Sequence, residues 1–528
     1  MSKTPYLIHQ LICPCTQLQP GGIAVKDGVR TLDYQALNEQ SLQTGNLFLL
    51  CGLQRFDRVA IYLEKRIEGV LALFGTALAG GVFVPVNPLL KSGQVSHILN
   101  DCNVKILVTS PERLELLRPV LQSCRDLRTV VLVGDKLFDG LAGIEVVGWH
   151  AHGCLPDQPR HRMVDTDMAA ILYTSGSTGK PKGVVFSHRN LVAGAASVSQ
   201  YLANHSDDRI LCVLPLSFDY GLSQLTTAFH AGACAVLMNY LLPRDVIRTV
   251  EKEKITGLAA VPPLWIQLAR LDWPTGTDGH LRYITNSGGA MPTATLNAMR
   301  AKLPNTKPFL MYGLTEAFRS TYLPPDEIDR RPGSIGKAIP NAEIMAVRHD
   351  GTLCGPGEEG ELVHRGALVT LGYWNDPANT AERFKPSPGQ LAGLPRPEMA
   401  VWSGDSVTMD KDGFFYFVGR RDEMIKTSGY RVSPTEVEEV IYATQTVIEV
   451  AAVGVPHPLL GQAIVLFVYK TDWNALDAEL ILGECQRQLP GFMVPARVIH
   501  HGEPLPRNPN GKIDRKRLVE ELIDLKRA

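Results

Sequence analysis

LYTSGSTGKPKGVVFSHRN, Leu172 to Asn190, is the stretch that decides how this chain is read. Glycines interleave with Thr174, Ser175, Ser177 and Thr178, and Lys180 and Lys182 follow directly. Such a loop offers backbone N–H groups, hydroxyls and mobile cations together, the donor set that a polyphosphate needs. Gly176 and Gly179 let the backbone come close to an anion. The apolar MAAILY run just before predicts a strand that anchors the loop, and VVFSHRNL predicts a second strand running into a helix. A P-loop is excluded: Gly176 and Gly179 stand too close together, and Pro181 occupies the place of that motif's magnesium-binding hydroxyl.

The chain has 528 residues, enough for a large core and more than one domain. It is 45% hydrophobic and 20% charged with a net charge of −1, an ordinary globular composition that gives no reason to expect nucleic acid or an anionic membrane as partner. Its ten cysteines form no framework. Cys13 and Cys15 make a lone C-x-C without a second pair, so zinc is not expected, and reduced thiols in a cytoplasm are. The opening MSKTPYLIHQLICPC is interrupted by His9 and Gln10 and is not expected to be a secretory signal. Two uncharged runs, Gly69 to Leu90 and Tyr220 to Pro243, are long enough to span a bilayer. Each is broken by glycine, at Gly80-Gly81 and at Gly232, and each predicts buried helix, turn and buried strand. No transmembrane segment is expected.

Helical patterns alternate with short Val/Ile/Leu strands through the first four hundred or so residues, as in DRVAIYL, EGVLALFGTALA, VFVPV, QVSHILND and VKILVTS. Repeated βα units of this kind predict parallel sheets with helices on both faces. Near Glu343 the texture changes to hairpin-like strands around turn glycines, a more β-rich subdomain. Pro386 to Pro397 is expected to be an exposed loop. After Arg421, PTEVEEVIYA and DAELILGECQRQL read as helices among the strands VIEVAAVGV, AIVLFVYK and PARVIHH, a small α+β domain.

Further motifs follow in order. MYGLTEA, Met311 to Ala317, sets the Thr315 hydroxyl, a donor to phosphate, beside the Glu316 carboxylate, an oxygen ligand of the kind a hard cation such as Mg²⁺ takes. Alone, that pair reads as a helix N-cap and a first-turn acid. WSGD, Trp402 to Asp405, places a carboxylate after a glycine turn, where it can accept both hydroxyls of a ribose. GRRDEMIK, Gly419 to Lys426, reads alone as a solvated charged turn, yet it falls at the change of texture. SGYRVSPTEVEEV puts Gly429 in a loop ahead of a helix, and LPRNPNGKIDR holds Lys512 in a Pro/Asn/Gly turn that reads alone as surface.

Taken in order, and with TLDYQALN, GLQRFDRVAIYL and AGGVFVPVNP nearer the start, these motifs resemble the AMP-forming adenylating enzymes, the superfamily of acyl-CoA synthetases, luciferases and peptide-synthetase adenylation domains. The likeness spans essentially the whole chain. It implies an α/β fold with a large N-terminal domain, 1–421, of βα-built sheets plus a β-rich subdomain, and a small mobile α+β lid, 422–528. It implies ATP, Mg²⁺ and coenzyme A, or a carrier-protein phosphopantetheine, as cofactors. Residue by residue, the resemblance implies that Thr174, Ser175, Gly176, Ser177, Thr178, Gly179, Lys180 and Lys182 hold phosphates. It implies that Gly288, Gly289, Tyr312 and Gly313 adjoin the nucleotide, with Tyr312 packed on the adenine. Thr315 and Glu316 would meet phosphate and metal, Asp405 the ribose, and Arg420 the ribose or a phosphate. Asp422 matches the hinge between the two domains. Gly429 matches the lining of the pantetheine tunnel, where only a residue without a side chain permits the approach. Lys512 matches the catalytic lysine, whose compact ammonium can bridge the substrate carboxylate and the α-phosphate.

The acyl pocket is where the chain departs from many acyl-CoA ligases, which carry a histidine after the LP strand. Here LPLSFDYGLSQL stands instead, Leu214 to Leu225. Phe218-Asp219 resembles the F-D of amino-acid adenylation domains, where the aspartate pairs with the substrate ammonium. The other reading makes Asp219 a cap of the helix that follows, and both stand. Tyr220, Ser223, Ser287, Met311, Arg319 and Ser320 align with the rest of the pocket. Arg319 is unexpected beside a long acyl chain: it either pairs with Asp219, leaving a neutral slot, or meets a second carboxylate on the substrate. Trp265 is expected to fill core or pocket wall. FVPVNPLLK, SFDYGLSQL, LTEAFRSTYLPP and SGYRVSPTEVEEV look like the acyl-CoA ligases associated with exosortase A systems.

The function expected is that of an ATP-dependent acid–thiol ligase: a carboxylic acid and Mg·ATP give acyl-AMP and pyrophosphate, and CoA then takes the acyl group as a thioester. The alternative is a stand-alone amino-acid adenylation enzyme that loads a carrier protein in trans. A luciferase-like oxygenase and a non-catalytic binding protein are further readings, though the latter has no need of Lys512, Glu316 and Asp405 together.

Overall fold

In the computed structural model of the chain, the described residues are 4–12, 15, 19–134, 141, 143–149, 156–174, 181–291, 293–391, 393–420, 424–444, 446–506 and 513–525. Ser175, Gly176, Ser177, Thr178, Gly179, Lys180, Asp422 and Lys512 lie outside them. Short strands of Val, Ile and Leu are buried on both faces and pair in parallel, as continuous apolar runs between helices require. One seven-stranded sheet runs Glu145–Gly148, Thr129–Leu132, Val104–Thr109, Arg58–Tyr62, Val82–Pro85, Met168–Thr174 and Lys182–Ser187. All neighbours are parallel except the last two, which form a hairpin with Met168 opposite Ser187 and Thr174 opposite Lys182. These are the two strands foreseen on either side of the glycine-rich stretch.

A second, fourteen-stranded sheet changes character along its width. Strands Ile23–Asp27, Cys234–Leu237, Arg209–Cys212, Gly257–Ala260, Tyr283–Asn286 and Lys307–Tyr312 are parallel neighbours. From Thr321–Leu323 onward, through Ser334–Ala338, Phe415–Arg420, Met399–Met409, Glu359–Gly366 and Ala342–Val347, the pairing is antiparallel. That half is the β-rich subdomain expected near Glu343. Beyond strand Phe384–Pro386, Leu391 and Leu394 are exposed, as expected of that loop.

Toward the C-terminus, a five-stranded sheet has Gly461–Tyr469 at its centre, with Glu449–His457 paired along it as an edge strand. Its residues alternate between two cores, as period-two side chains must. Val450, Ala452 and Leu466 pack under helices Pro434–Ala443 and Ala475–Gln488, while Ala451, Val453 and Phe467 pack under helix Arg515–Leu525.

Both uncharged runs are helix, turn and strand of the buried α/β core, with exposed residues only toward their ends, among them Leu89, Leu241 and Leu242. Helix Ile67–Ala79 stops at Gly80, φ 83°, before strand Val82–Pro85, and helix Asp219–Ala231 stops at Gly232, φ 72°, before strand Cys234–Leu237. Glycine ends each helix because the stop is left-handed. Among the described residues no helix is long and apolar enough to cross a membrane. Trp265 is buried in the core and donates its indole N–H to the Ala260 and Thr285 carbonyls.

One side chain that helps tie the glycine-rich hairpin to the antiparallel half is Asn190. Ser187 caps helix His188–Leu202 in a reciprocal box: its Oγ accepts from the Asn190 N–H, and Asn190 Oδ1 accepts from the Ser187 N–H at 2.8 Å. The Asn190 amide then donates to the carbonyls of Ala367 and Val369, at 2.8 Å each. Asn190→Ala removes the side-chain arm of the box and orphans both carbonyls, which should cost about 3 kcal/mol. A urea unfolding series would show the midpoint falling accordingly; an unchanged midpoint would mean that Asn190 does not hold the two parts together.

Candidate active site

Ligand sites in parallel α/β sheets form beyond the carboxyl ends of the strands, where the chain leaves the sheet. Here strand Tyr283–Asn286 runs out into Ser287-Gly288-Gly289, and strand Lys307–Tyr312 into Gly313 and the short helix Thr315–Ala317. Between them and the lid lies a cavity of about 570 Å³. It gathers Gly288, Gly289, Tyr312, Gly313, Thr315, Glu316, Asp405 and Gly429 of the expected nucleotide and tunnel set. The same cavity takes in Asp219, Tyr220, Ser287, Met311 and Arg319 of the expected acyl pocket. Ser223 is buried in helix Asp219–Ala231 and does not line it. Ser320 does not line it either, because its hydroxyl is turned to His364 Nδ1 at 2.9 Å.

Asp405 is buried on strand Met399–Met409, and its Oδ2 accepts from the Tyr312 hydroxyl at 2.6 Å. Its register partner on the neighbouring strand is Arg420. The residue expected to grip a ribose and the aromatic expected beside the adenine are therefore fixed to each other.

Glu316 is a buried carboxylate held from several sides. Its Oε1 accepts from the Tyr373 hydroxyl at 2.6 Å, and its backbone carbonyl accepts from the Thr370 N–H at 3.0 Å. Burial would push its carboxyl up, but the Arg431 charge, the Tyr373 hydroxyl and the Arg383 charge outweigh it and hold the group below the usual carboxylate range. Oε2 is buried and has no hydrogen-bond partner among the described residues. An ionised oxygen with an open position fits a magnesium ion, which commonly takes one protein carboxylate together with phosphate oxygens and waters. Among the described residues no group of three or more His, Cys, Asp or Glu could hold a metal, so Glu316 would act with the phosphates of a nucleotide.

Lys182 joins the hairpin to this centre. Its ammonium lies 5.5 Å from the Tyr373 ring centroid and 3.9 Å from Asp376, and burial lowers its pKa. Thr174 faces it across the hairpin. Tyr373, Arg383 and Arg431 were not singled out from the sequence. Arg431 stands in the quoted SGYRVSP, and Arg383 some twenty residues before WSGD, but only tertiary convergence gives them meaning.

Gly429 is needed for two reasons. Its φ is +82°, and a Cβ there would sit 2.8 Å from Val261 Cγ2. Its carbonyl also faces Gly288, 3.7 Å from where a Cβ would be.

The acyl end is charged. Asp219 is the first residue of its helix, after the N-cap Phe218. Its carboxyl lies against the first-turn N–H groups of Tyr220 and Asp219 and also lines the cavity, so it stands at the helix start and in the pocket at once. Burial raises the Asp219 carboxyl to about 6, with the Arg319 charge pulling the other way. The two are not in ion-pair contact; Arg319 instead stacks on Tyr220, 4.6 Å from its ring centroid, and donates to Ser287 Oγ at 3.3 Å.

Fold and site together define an adenylate-forming enzyme. The chain belongs to the AMP-binding enzyme family, whose pattern matches residues 15–374; residues 436–512 match the AMP-binding enzyme C-terminal domain. It is 31% identical over 501 residues to a long-chain-fatty-acid–CoA ligase of Salmonella typhimurium, covering 89% of this chain and 86% of that one. Bacitracin synthase 3 of Bacillus licheniformis is 29% identical over 524 residues, 99% of this chain and 8% of that protein. A solved double mutant of o-succinylbenzoate CoA synthetase from Bacillus subtilis, bound with its product analogue, matches with a TM-score of 0.81 at 24% identity, covering 96% of this chain and 97% of that one. At that identity the likeness is one of fold.

The raised Asp219 carboxyl has a thermodynamic signature. The folded state holds this proton more tightly than the unfolded chain, whose value is the ordinary 3.8. Wild-type stability relative to Asp219→Asn therefore falls as pH rises from about 4 to about 6, by roughly 3 kcal/mol in total. Urea midpoints of both proteins from pH 4 to 7 would show this divergence; parallel curves would mean that Asp219 titrates as an exposed carboxylate.

Proposed function

We propose that this chain is an ATP-dependent acid–thiol ligase that makes acyl-AMP and then acyl-CoA. The observation that carries the proposal is the junction of two cavities. A second space of about 570 Å³, between the N-terminal strands and the lid, shares Gly288, Gly289, Lys426 and Gly429 with the site above. One cavity suits an acid and a nucleotide; the other gives a slender thiol a route to the carbon between them.

In the first half-reaction a carboxylate oxygen of the acid attacks the α-phosphorus, the bond to the bridging oxygen breaks, and pyrophosphate leaves. Asp405 and Tyr312 hold the nucleoside, Thr315 and the glycine-rich hairpin hold the phosphates, and Lys512 bridges carboxylate and α-phosphate. Magnesium, held by Glu316, supplies charge neutralisation for the phosphates. In the second half-reaction the lid, 422–528, turns about Asp422. Sulfur then attacks the acyl carbon, the carbon–oxygen bond to phosphate breaks, AMP departs, and the thiol proton passes to solvent. We place the enzyme in the cytoplasm, since the eight described cysteines are all free thiols. On the motifs quoted above we set it beside the exosortase A-associated ligases. Buried Asp219, with the likeness to bacitracin synthase 3, favours as second reading an amino acid substrate and a carrier protein acting in trans.

The half-reactions separate by mutation. Gly429→Leu drives a side chain into Val261 and should slow thioester formation by at least about 100-fold while acyl-AMP still forms. Lys512→Ala should do the opposite, abolishing adenylate formation yet sparing thioester formation from supplied acyl-AMP. Rapid-quench assays of each step decide; equal losses in both steps for either variant would contradict the division of roles.

A further inference from the structure

We propose that the acid this enzyme activates carries a second oxygen acceptor, and that Arg319 selects for it. The inference rests on the adenylating function proposed above. Arg319 is 2% exposed and lines the same cavity as Asp219, Tyr220, Ser287 and Met311. A guanidinium has five N–H donors and stays charged in any protein environment. Here it makes a single hydrogen bond among the described residues, to Ser287 Oγ, its Nε has no partner, and no carboxylate is in ion-pair contact with it. Asp219 feels the arginine's charge without touching it. A buried cation with unused donors is costly unless something in the pocket completes its hydrogen bonds.

The backbone is strained to keep it there. Phe318, immediately before, sits at φ 55°, ψ −54°, a conformation that costs a non-glycine residue on the order of 1–3 kcal/mol. Its fully buried ring packs edge-on against Phe186 at 6.0 Å, in space left open because position 194 is glycine, where a Cβ would lie 2.5 Å from the ring. The packing of Phe318 thus fixes where Arg319 begins.

A saturated acyl chain at this depth would bury the guanidinium against hydrocarbon and complete none of its bonds. A carboxylate, carbonyl or hydroxyl on the distal part of the acid would complete them. An ammonium there would meet a like charge. Arg319 therefore separates this pocket from one built for fatty acids and also weighs against a simple amino acid.

Pyrophosphate release, resolved into kcat and KM, tests this over acids of matched length: saturated monocarboxylic, ω-hydroxy, dicarboxylic and amino acids, with wild type, Arg319→Met and Arg319→Lys. Wild type should favour the hydroxy or dicarboxylic acids in kcat/KM by at least on the order of 100-fold over the saturated ones. Arg319→Met should erase that preference, chiefly through KM, and raise the rate with saturated acids; Arg319→Lys should keep part of it. A dicarboxylic optimum marks charge pairing and a hydroxy optimum a neutral acceptor, and either supports the proposal. Preference of the wild type for saturated or amino acids, or an unchanged ratio in a folded Arg319→Met, overturns it while leaving adenylation intact. If Arg319→Met does not fold, the wild-type ratios and Arg319→Lys decide. Pyrophosphate release with no acid at all sinks the adenylating reading and this proposal with it.

Discussion

An ionised carboxylate kept out of water organises this molecule. Glu316 is buried, yet it stays charged because a tyrosine hydroxyl and two arginines from three separate parts of the chain converge on it. Tyr373 comes from the segment that lies along the glycine-rich hairpin, where the Leu371 and Trp374 N–H groups donate to Val185 and Gly183 carbonyls. Arg383 comes from the antiparallel half and Arg431 from the lid side. Removing a buried charge's partners is far more costly than removing exposed ones, so in this arrangement the hairpin, the Thr315–Glu316 turn and the strand that carries Arg431 are drawn together by a shared electrostatic demand. The free Oε2 is then an anionic position ready for a cation.

The acyl end carries a different kind of constraint. Arg319 and Asp219 are buried near each other without ion-pair contact, and Arg319 keeps unused donors. A preorganised site of this sort discriminates by leaving polar groups unpaired when the wrong ligand binds, which penalises a plain hydrocarbon more than any added contact rewards the right one.

Much of this was legible in the sequence, for physical reasons. Strands buried on both faces read as unbroken apolar runs, and the glycines that end helices Ile67–Ala79 and Asp219–Ala231 marked the turns that ruled out membrane spans. The nucleotide residues sit in short local motifs because each loop must present several groups from one strand end. Tyr373, Arg383 and Arg431 were missed because they matter only through distant partners, a relation that no spacing encodes. The state of Asp219 was equally hidden: F-D fits a helix start as well as a pocket charge, and only the fold shows the residue at the first turn of its helix and in the cavity wall together. Ser175 to Lys180, Asp422 and Lys512, named from their motifs, lie outside the described residues.

The most direct test of the central claim is to identify the nucleotide product. Purified protein incubated with ATP, Mg²⁺, a hydroxy or dicarboxylic acid and CoA should yield AMP and pyrophosphate in step with acyl-CoA, and acyl-AMP when CoA is withheld. ADP and orthophosphate as products, or AMP formed at the same rate without any acid, would contradict it.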